Sequence, residues 1–467
     1  MKILLSQMGT AAKRGLTAKC VLFSSCALLL LSLTSSGMAA DVKVRGYITS
    51  LPDQHSIAIL DDVIAYDTAT RIEQDCGAAD HGQSGLAVGV LIEAEGAWTA
   101  PHRFSARKVS CDAGQFTREV SESAYFQEEP LEAGKITAGT PLRLKADGEL
   151  LLLTDTSQKS WTTRFSEAGG ESSSPKIVGS RIHYRGVRSD DGLIHASFVE
   201  LGSPPPADAY NNPGGIKILP AVEPKSGIRI LEFRKGDKVQ GRLKLFPVIE
   251  VQDYVKKLGL SLLPGAAEVT KRPVEFRFFV VEDASINAEA LPDGTIFVNT
   301  GLLGALENES QLAFVLSHEI AHVLQAHHWR EVNDTRAKRV LITIAALAGS
   351  YYIGNLSLYL GQIGLADVVN GYSRRIENQA DRLGLQNCID HGYDPGPAVG
   401  FFRIMVERYR QRSTSAIWSN HDSSLLRGSF LTVQLIRQYP QERFAGTKLD
   451  TPAFQTMKDA MGPVKIE

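Results

Sequence analysis

The chain has 467 residues, enough for about two or three domains, and its hydrophobic content of 43% and charged content of 22% are ordinary for a globular protein. The formal net charge is −2, which does not fit the basic surface of a nucleic-acid-binding protein. We therefore expect no nucleic acid among its partners.

The first forty residues have the pattern of a secretory signal peptide. A basic segment ends at Lys19, an apolar stretch runs from Val21 to Leu33, and small residues follow up to Ala40. We predict that residues 1–40 are a signal peptide and that the mature protein is exported to the periplasm. The apolar stretch is short for a membrane span, and an uncleaved anchor that keeps the protein at the membrane is the alternative.

Export would place the remaining cysteines in an oxidising compartment. Cys76 and Cys111 could then pair within one domain, and Cys388 would stay single and buried. The pairing is a hypothesis, because sequence alone does not prove it.

Short segments with strand-like alternation, separated by turns, run from residue 41 to about residue 201. Residues 89–109 and 180–201 share a weak similarity that suggests a duplication. We predict an all-β N-terminal part built from two barrel-like modules, over residues 41–130 and 131–201. Their shape could be that of oligonucleotide/oligosaccharide-binding folds, but such a shape need not imply nucleic acid, and a spacer or protein-docking role fits the charge better.

Residues 202–226 are rich in proline, glycine and asparagine and are predicted to form a linker. From residue 227 to residue 467 the pattern is mixed α and β. We expect an amphipathic helix over 248–258, a core strand over 274–281 and a hairpin around Pro292-Asp293-Gly294.

The segment 340–366 carries no charged residue and contains several tyrosines, leucines and glycines. Its length would suffice to span a bilayer, but its serine, asparagine and glutamine residues make a span unfavourable. We expect core or lid helices over the active site, with peripheral membrane contact as the alternative.

The motif His318-Glu319-Ile320-Ala321-His322 is the most informative stretch of the chain. Residues four apart on a helix share a face, so His318 and His322 can bind one metal ion, and Glu319 can act as general base toward a bound water. Asn308 and Gln311 have the spacing of a capping box that begins this helix. A buried helix with two hydrogen-bonded histidines is the alternative.

Zinc hydrolases usually have three protein ligands and leave one position for water. Glu377 is the best candidate for the third ligand, and Asp381, four residues on, could accept a hydrogen bond from a ligand histidine. A solvated, charged helix face is the alternative. Ala380 would allow two helices to pack closely, and His327 and His328 are expected to cap the exposed end of the metal helix.

These two motifs together resemble those of the HtpX/BepA-like zinc metallopeptidases, relatives of the CaaX prenyl proteases. The resemblance covers about residues 248–467 and leaves the β-rich part outside. Four further segments match in the same order: Phe276 to Val281, Asn287 to Gly294, Asn299 to Leu303, and Asn308 to Ala313.

The resemblance implies an α+β, zincin-like and mainly helical metallopeptidase domain with one Zn²⁺ per chain. His318, His322 and Glu377 would bind the zinc, and Glu319 would polarise the water. Asp381 would accept a hydrogen bond from a ligand histidine or act as a proton donor.

The resemblance also implies where a substrate would bind. Asn287 and Ala288 would form an edge to which an extended peptide adds. The Thr-His-Pro segment of the family is replaced here by Asn420-His421-Asp422, with Arg427 six residues after the histidine. His421 is the candidate oxyanion stabiliser, and a surface histidine is the alternative.

We therefore predict an exported zinc endopeptidase that acts on unfolded or misassembled proteins in cell-envelope quality control. The alternative is an envelope chaperone or assembly adaptor with latent protease activity, which would bind its clients through the β-rich modules. In either case envelope or outer-membrane assembly partners are expected.

Overall fold

The computed structural model describes most of the chain after the predicted signal peptide. The described residues are 42–73, 85–112, 119–125, 142–146, 149–159, 181–188, 193–201, 205–263, 274–334, 372, 374–410, 424–439 and 444–466. The predicted signal peptide, the uncharged segment 340–366 and His421 lie outside them. Within these ranges the N-terminal part is β-rich and the C-terminal part is mainly helical, which confirms the predicted fold class.

The first sheet has seven strands in the order β1-β6-β7-β4-β3-β2, with β5 paired to β7. Its core consists of buried aliphatic and aromatic side chains such as Ile48, Ile57, Ile64 and Phe104. The strands are β1 Val42–Tyr47, β2 Ser50–Asp53, β3 Ser56–Ile59, β4 Asp62–Ala65, β5 Arg71–Ile72, β6 Leu91–Ala100 and β7 Arg103–Asp112.

The second sheet has five strands in the order β8-β11-β12-β10-β9. Its first strand falls inside the range predicted for the first module, so the change from one sheet to the other lies between β7 and β8. The strands are β8 Glu119–Tyr125, β9 Leu142–Ala146, β10 Glu149–Lys159, β11 Arg181–Arg188 and β12 Ile194–Leu201.

A third, antiparallel sheet follows, with the order β13-β14-β15. The predicted linker range contains two short 3-10 helices, Ala207–Tyr210 and Pro213–Gly215, and the first strand of this sheet. Phe233 packs against Phe297 of the next sheet, with the ring centroids 6.2 Å apart. The strands are β13 Lys217–Val222, β14 Arg229–Lys235 and β15 Lys238–Lys244.

The fourth sheet is the small sheet of the C-terminal part, with the order β16-β18-β17. Strand β18 pairs in parallel with β16 and in an antiparallel manner with β17, so the predicted hairpin around Pro292-Asp293-Gly294 is present and β17 is an edge strand. The strands are β16 Arg277–Val281, β17 Ala288–Ala290 and β18 Thr295–Asn299.

The described residues contain eight α helices. They are α1 Ile249–Ser261, α2 Thr300–Ala305, α3 Glu309–Leu324, α4 His327–Asp334, α5 Arg374–Asp390, α6 Pro395–Arg410, α7 Ser424–Gln438 and α8 Pro452–Met461. Helix α3 carries the His-Glu-x-x-His motif and is buried along almost its whole length, as its apolar sequence indicates.

The start of α3 is held by side chains as well as by packing. Asn308 is the N-cap and accepts a hydrogen bond from the Gln311 N–H at 3.0 Å, while the Gln311 side chain accepts from the Glu307 N–H at 2.8 Å. The buried Glu309 carboxylate accepts hydrogen bonds from the hydroxyls of Tyr254 and Tyr393, each at 2.7 Å. The predicted capping box is confirmed in its main bond, and the helix that bears the motif begins at a well-defined residue.

Cys388 is a free, fully buried thiol, and burial raises its pKa to about 12. Cys111 is disulfide-bonded. Its predicted partner, Cys76, lies outside the described residues, so the pairing of these two cysteines stays a prediction.

Among the residues that the structure describes, no helix combines the length and the apolar character needed to cross a bilayer.

Candidate metal centre

Two helices bring three ligand groups to one point. His318 and His322 lie one turn apart on α3, and their Nε2 atoms are 3.0 Å apart. Glu377 on α5 places its Oε2 3.7 Å from His318 Nε2 and its Oε1 3.9 Å from His322 Nε2. All three ligand atoms lie within 4.8 Å of one another. This is the set of residues that the sequence analysis selected as metal ligands.

The close approach of α3 and α5 depends on small residues. Ala380 is fully buried, as expected for a helix contact. A Cβ atom at Gly384 would lie 3.1 Å from the backbone nitrogen of His318, tighter than most Cβ contacts. Gly384 is seven residues after Glu377, hence on the same face of α5, a spacing that the sequence analysis did not use.

The second nitrogen of each imidazole has its own partner. His318 Nδ1 lies 2.9 Å from Asp381 Oδ1, and His322 Nδ1 lies 2.9 Å from His327 Nδ1. With both Nδ1 atoms engaged, the two Nε2 atoms remain directed at the common point beside Glu377.

The three groups fit a zinc ion. Tetrahedral zinc with bonds of about 2.0–2.1 Å needs ligand atoms roughly 3.3 Å apart. The two imidazole nitrogens are 3.0 Å apart, and each has one of the two Glu377 oxygens at 3.7 or 3.9 Å, which is close to that value. Two imidazoles and a carboxylate are also a donor set that zinc hydrolases use.

Arg427 on α7 joins the two carboxylates of α5. Its Nε and Nη2 atoms donate to the two oxygens of Asp381, each at 2.8 Å, and its Nη1 lies 2.9 Å from Glu377 Oε2. A bidentate guanidinium–carboxylate pair of this kind fixes orientation as well as charge. Burial alone would raise the pKa of Asp381, but Arg427 and His318 outweigh burial and lower that pKa to about 2.

The two ligand histidines differ in their electrostatics. Burial alone would lower the pKa of His318, but Asp381, Glu377 and Glu319 outweigh it and raise that pKa. Burial, followed by the charges of His318 and His327, lowers the pKa of His322 well below its usual value. A neutral His322 is the form that can bind a metal ion.

Glu319 is buried next to the ligands. Burial raises the pKa of its carboxyl to about 8, His318 acts in the opposite direction, and Glu377 and Glu289 add to the increase. A buried carboxyl with a strongly raised pKa is a common feature of functional sites.

The structure corrects the expectation for His327. The side chain is fully buried rather than at an exposed helix end, and its Nε2 lies 3.3 Å from Gln379 Oε1. Arg330 donates to the same oxygen at 2.8 Å. Because a bend at Ala326 (φ 50°) separates α3 from α4, His327 turns back onto His322, which the helical periodicity of the sequence does not reveal.

Tyr372 is a further neighbour of the site that the sequence analysis missed. Its ring stacks on His322 with centroids 4.3 Å apart and an angle of 20° between the planes. Beside them a small pocket reaches strand β17, and its walls include Ala209, Ala290 and Pro292. Tyr372 lies five residues before Glu377 but precedes the helix that carries this ligand, so helical spacing does not identify it.

The predicted substrate edge lies beside helix α3. Ala288 belongs to the edge strand β17, and Asn287 precedes it. The Asn287 side chain donates to Glu289 Oε1 at 2.9 Å, and Glu289 is close enough to Glu319 to act on its pKa. The edge and the metal ligands thus belong to the same region, whereas His421, the predicted oxyanion group, lies outside the described residues.

Comparisons with known proteins agree with this geometry. Residues 250–438 match the model of peptidase family M48, and residues 45–110 match a domain of unknown function, DUF5666. A putative beta-barrel assembly-enhancing protease from Vibrio cholerae is 33% identical over 219 residues, which cover 44% of each chain.

Two other relatives extend the comparison. The beta-barrel assembly-enhancing protease of Escherichia coli is 31% identical over 193 residues, 39% of each chain. The mitochondrial metalloendopeptidase OMA1 of Schizosaccharomyces pombe is 33% identical over 152 residues, 32% of this chain and 44% of the relative. The chain spans less than half the length of these relatives.

The fold, the three converging ligand groups and the relatives together indicate a metallopeptidase domain in the C-terminal part of the chain. Residues 250–438 resemble peptidase family M48, a family of zinc metallopeptidases.

Proposed function

We propose that this protein is a zinc-dependent endopeptidase of the His-Glu-x-x-His plus Glu type. The observation that carries the proposal is the convergence of His318, His322 and Glu377 on one point beside the buried carboxyl of Glu319. His318, His322 and Glu377 would hold one zinc ion per chain, and Glu319 would serve as the general base.

When bound, zinc would polarise the attacking water and the scissile carbonyl. Glu319 would accept the proton of that water and later return it to the leaving amine. Asp381 and His327 would keep the two imidazoles oriented through their Nδ1 atoms. Arg427 would hold Asp381 and Glu377 in place, and His421 stays the predicted stabiliser of the oxyanion.

The proposed substrates are unfolded or misassembled proteins in an extended conformation. Strand β17 is an edge strand next to the metal helix, and an extended peptide can add to such an edge through main-chain hydrogen bonds. Asn287 and Ala288 would take part in this binding. A folded protein would first have to expose a strand-like segment.

We further propose that the protein works in the periplasm, in cell-envelope quality control. The signal-like N-terminus supports export, and two relatives are named for enhancing beta-barrel assembly. These names also support the second candidate, a chaperone or assembly adaptor with latent protease activity. An adaptor would keep its biological role in a Glu319→Gln variant, whereas a protease would lose it.

The test of the proposal is cleavage of an unfolded protein such as casein, before and after removal of metal with a chelator. We expect cleavage by the purified protein, loss on chelation and recovery when zinc is added back. His322→Ala should neither bind zinc at one per chain nor cleave. Cleavage that survives complete metal removal would contradict the proposal.

A further inference from the structure

The first β sheet packs directly on the helix that supplies Arg427. We call strands β1 to β7, together with the described residues between them, the β module. Tyr47 and Leu91 of this module belong to the same buried hydrophobic cluster as Leu316 and Phe430 of the peptidase part. The rings of Tyr47 and Phe430 lie 5.5 Å apart between centroids. The module and α7 therefore share one core.

A buried polar contact fixes the position of α7 on the module. The backbone N–H of Tyr47 donates to Ser429 Oγ at 3.0 Å, and the Ser429 hydroxyl donates to Leu426 O at 3.0 Å. A Cβ atom at Gly46 would lie 3.1 Å from Ser429 Oγ, so the strand and the helix are in close contact here. Loss of the hydroxyl would leave a buried N–H without its acceptor, which is costly.

A second contact lies at the other end of the helix. Arg437 Nη2 donates to the carbonyl of Val88 at 3.0 Å. A Cβ atom at Gly89, which has a φ of +93°, would overlap the Arg437 guanidinium. Ser429 and Arg437 are eight residues apart, about 12 Å along a helix, so the module holds α7 at two separate points.

Arg427 lies on the other side of the same helical turn. Residues i and i+2 of an α helix point in nearly opposite directions, and Arg427 contacts Asp381 and Glu377 while Ser429 contacts the module. Between them, a Cβ atom at Gly428 would lie 2.7 Å from Phe402 and 3.0 Å from Leu60 of the module. One turn of α7 is thus enclosed between the module and the metal centre.

We propose that the β module, the part that matches a domain of unknown function, is a positioning element of the metal centre. Its contacts with Ser429 and Arg437 fix the position of α7. They thereby keep Arg427 in contact with the ligand Glu377 and with Asp381. The inference rests on the proposed function, because it assumes that these carboxylates serve a zinc site. It gives the module a role inside the enzyme rather than that of a spacer.

The test measures zinc affinity of the full-length protein by competition with a chromophoric chelator, a readout that needs no peptide cleavage. Ser429→Ala should lower the affinity about threefold to tenfold, less than the ten- to hundredfold loss typical when a direct partner of a ligand is removed. Thr432→Ala is the matched control, because the Thr432 hydroxyl also donates to a carbonyl of α7, that of Gly428. It should leave the affinity unchanged.

A second pair of variants keeps the test independent of Ser429. Gly89→Ala should lower zinc affinity by a similar factor. Gly236→Ala is its control and should leave the affinity unchanged, because Gly236 also has a positive φ but a Cβ atom there meets nothing within 4 Å. Circular dichroism verifies that each variant is folded.

A double variant tests the route through Arg427. In an Arg427→Lys background, Ser429→Ala should cause little further loss of affinity. Wild-type zinc affinity in folded Ser429→Ala and Gly89→Ala proteins would overturn the inference. So would a Ser429→Ala loss of zinc affinity that is as large in the Arg427→Lys background as in the wild-type protein. If the wild-type protein itself bound no zinc, the proposed function would fail, and the inference with it.

Discussion

The Nδ1 atoms of the two ligand histidines distinguish this site from a pair of ordinary buried imidazoles. His318 faces a carboxylate, Asp381, whereas His322 faces a second imidazole, that of His327. Because His327 Nε2 can donate to Gln379 Oε1, its Nδ1 is the nitrogen that can accept the hydrogen bond donated by His322 Nδ1–H. His327 therefore orients His322 through this hydrogen bond.

His327→Leu should weaken zinc binding by about tenfold to a hundredfold, since His322 Nδ1 would lose its partner. His327→Asn, which can keep a polar atom near the former Nδ1, should recover part of the loss. The measurement is zinc affinity by chelator competition, with His391→Gln, a change in the turn after α5, as the control. Equal affinities for His327→Leu and wild type would contradict the role given to His327.

Glu319 gives a prediction about the stability of the metal-free protein. Its pKa is about 8 in the native state against a usual 4.5, so above pH 4.5 the unfolded carboxyl releases a proton that the native state still holds. The contribution of Glu319 to the free energy of unfolding then falls as the pH rises from about 4.5 to about 8. Glu319→Gln removes this loss, and the chelated variant should exceed wild type by roughly 1–4 kcal/mol at pH 8.

Urea unfolding at several pH values measures this difference. The advantage of Glu319→Gln should shrink as the pH is lowered and vanish below about pH 4.5. Glu307→Gln, a change at an exposed carboxyl, is the control and should not alter the pH dependence. A Glu319→Gln protein no more stable than wild type at pH 8 would show that the carboxyl is not held in a desolvated environment.

At the scale of elements, the site depends on how closely α3 and α5 pack. His318 comes from the centre of α3, and Glu377, Ala380, Asp381 and Gly384 form one face of α5. The sequence predicts this pairing because the residues recur at helical spacing. It does not predict the turn between α3 and α4 or the approach of α7, because both depend on contacts between segments far apart in the chain.

Gly384→Ala tests the helix packing. The new methyl group would lie 3.1 Å from the His318 nitrogen, so α3 and α5 must adjust by a few tenths of an ångström, at a cost of about 1–3 kcal/mol. Zinc affinity should fall as well, because Glu377 moves with α5. Gly400→Ala in α6 is the matched control: its Cβ would make an ordinary 3.6 Å contact, and helix propensity alone should stabilise it by up to about 1 kcal/mol.

Thermal or chemical unfolding and zinc titration of these two glycine variants give the comparison. If Gly384→Ala were as stable as Gly400→Ala and bound zinc equally well, the closeness of α3 and α5 would not matter to the site.

At the scale of the whole molecule, particular residues show how far the sequence predicts the protein. His318, Glu319, His322, Glu377 and Asp381 could be selected from spacing and family resemblance, since each lies on a regular helix. The β-rich front part was also predictable, but its packing on α7 was not. The residues that make this contact, such as Tyr47 and Ser429, are 382 positions apart and form no local pattern.

The shared core of the β module and α7 predicts cooperative unfolding of the two. Native-state hydrogen exchange in increasing denaturant should give β1 and α7 similar opening free energies, because neither can expose Tyr47 or Phe430 without the other. Mass spectrometry of peptides that cover residues 42–47 and 424–438 is the measurement. Opening of β1 at much lower denaturant than α7 would mean that the module is an independent domain.

The most direct test of the whole account is a single comparison of wild type and Glu319→Gln. Zinc content by elemental analysis and the rate of casein cleavage are measured on the same preparations. The account predicts about one zinc per chain in both proteins and a cleavage rate lowered by about 10²–10⁴-fold in Glu319→Gln, the usual contribution of a general base. Cleavage by Glu319→Gln at the wild-type rate, or a wild-type protein that binds no zinc, would contradict it.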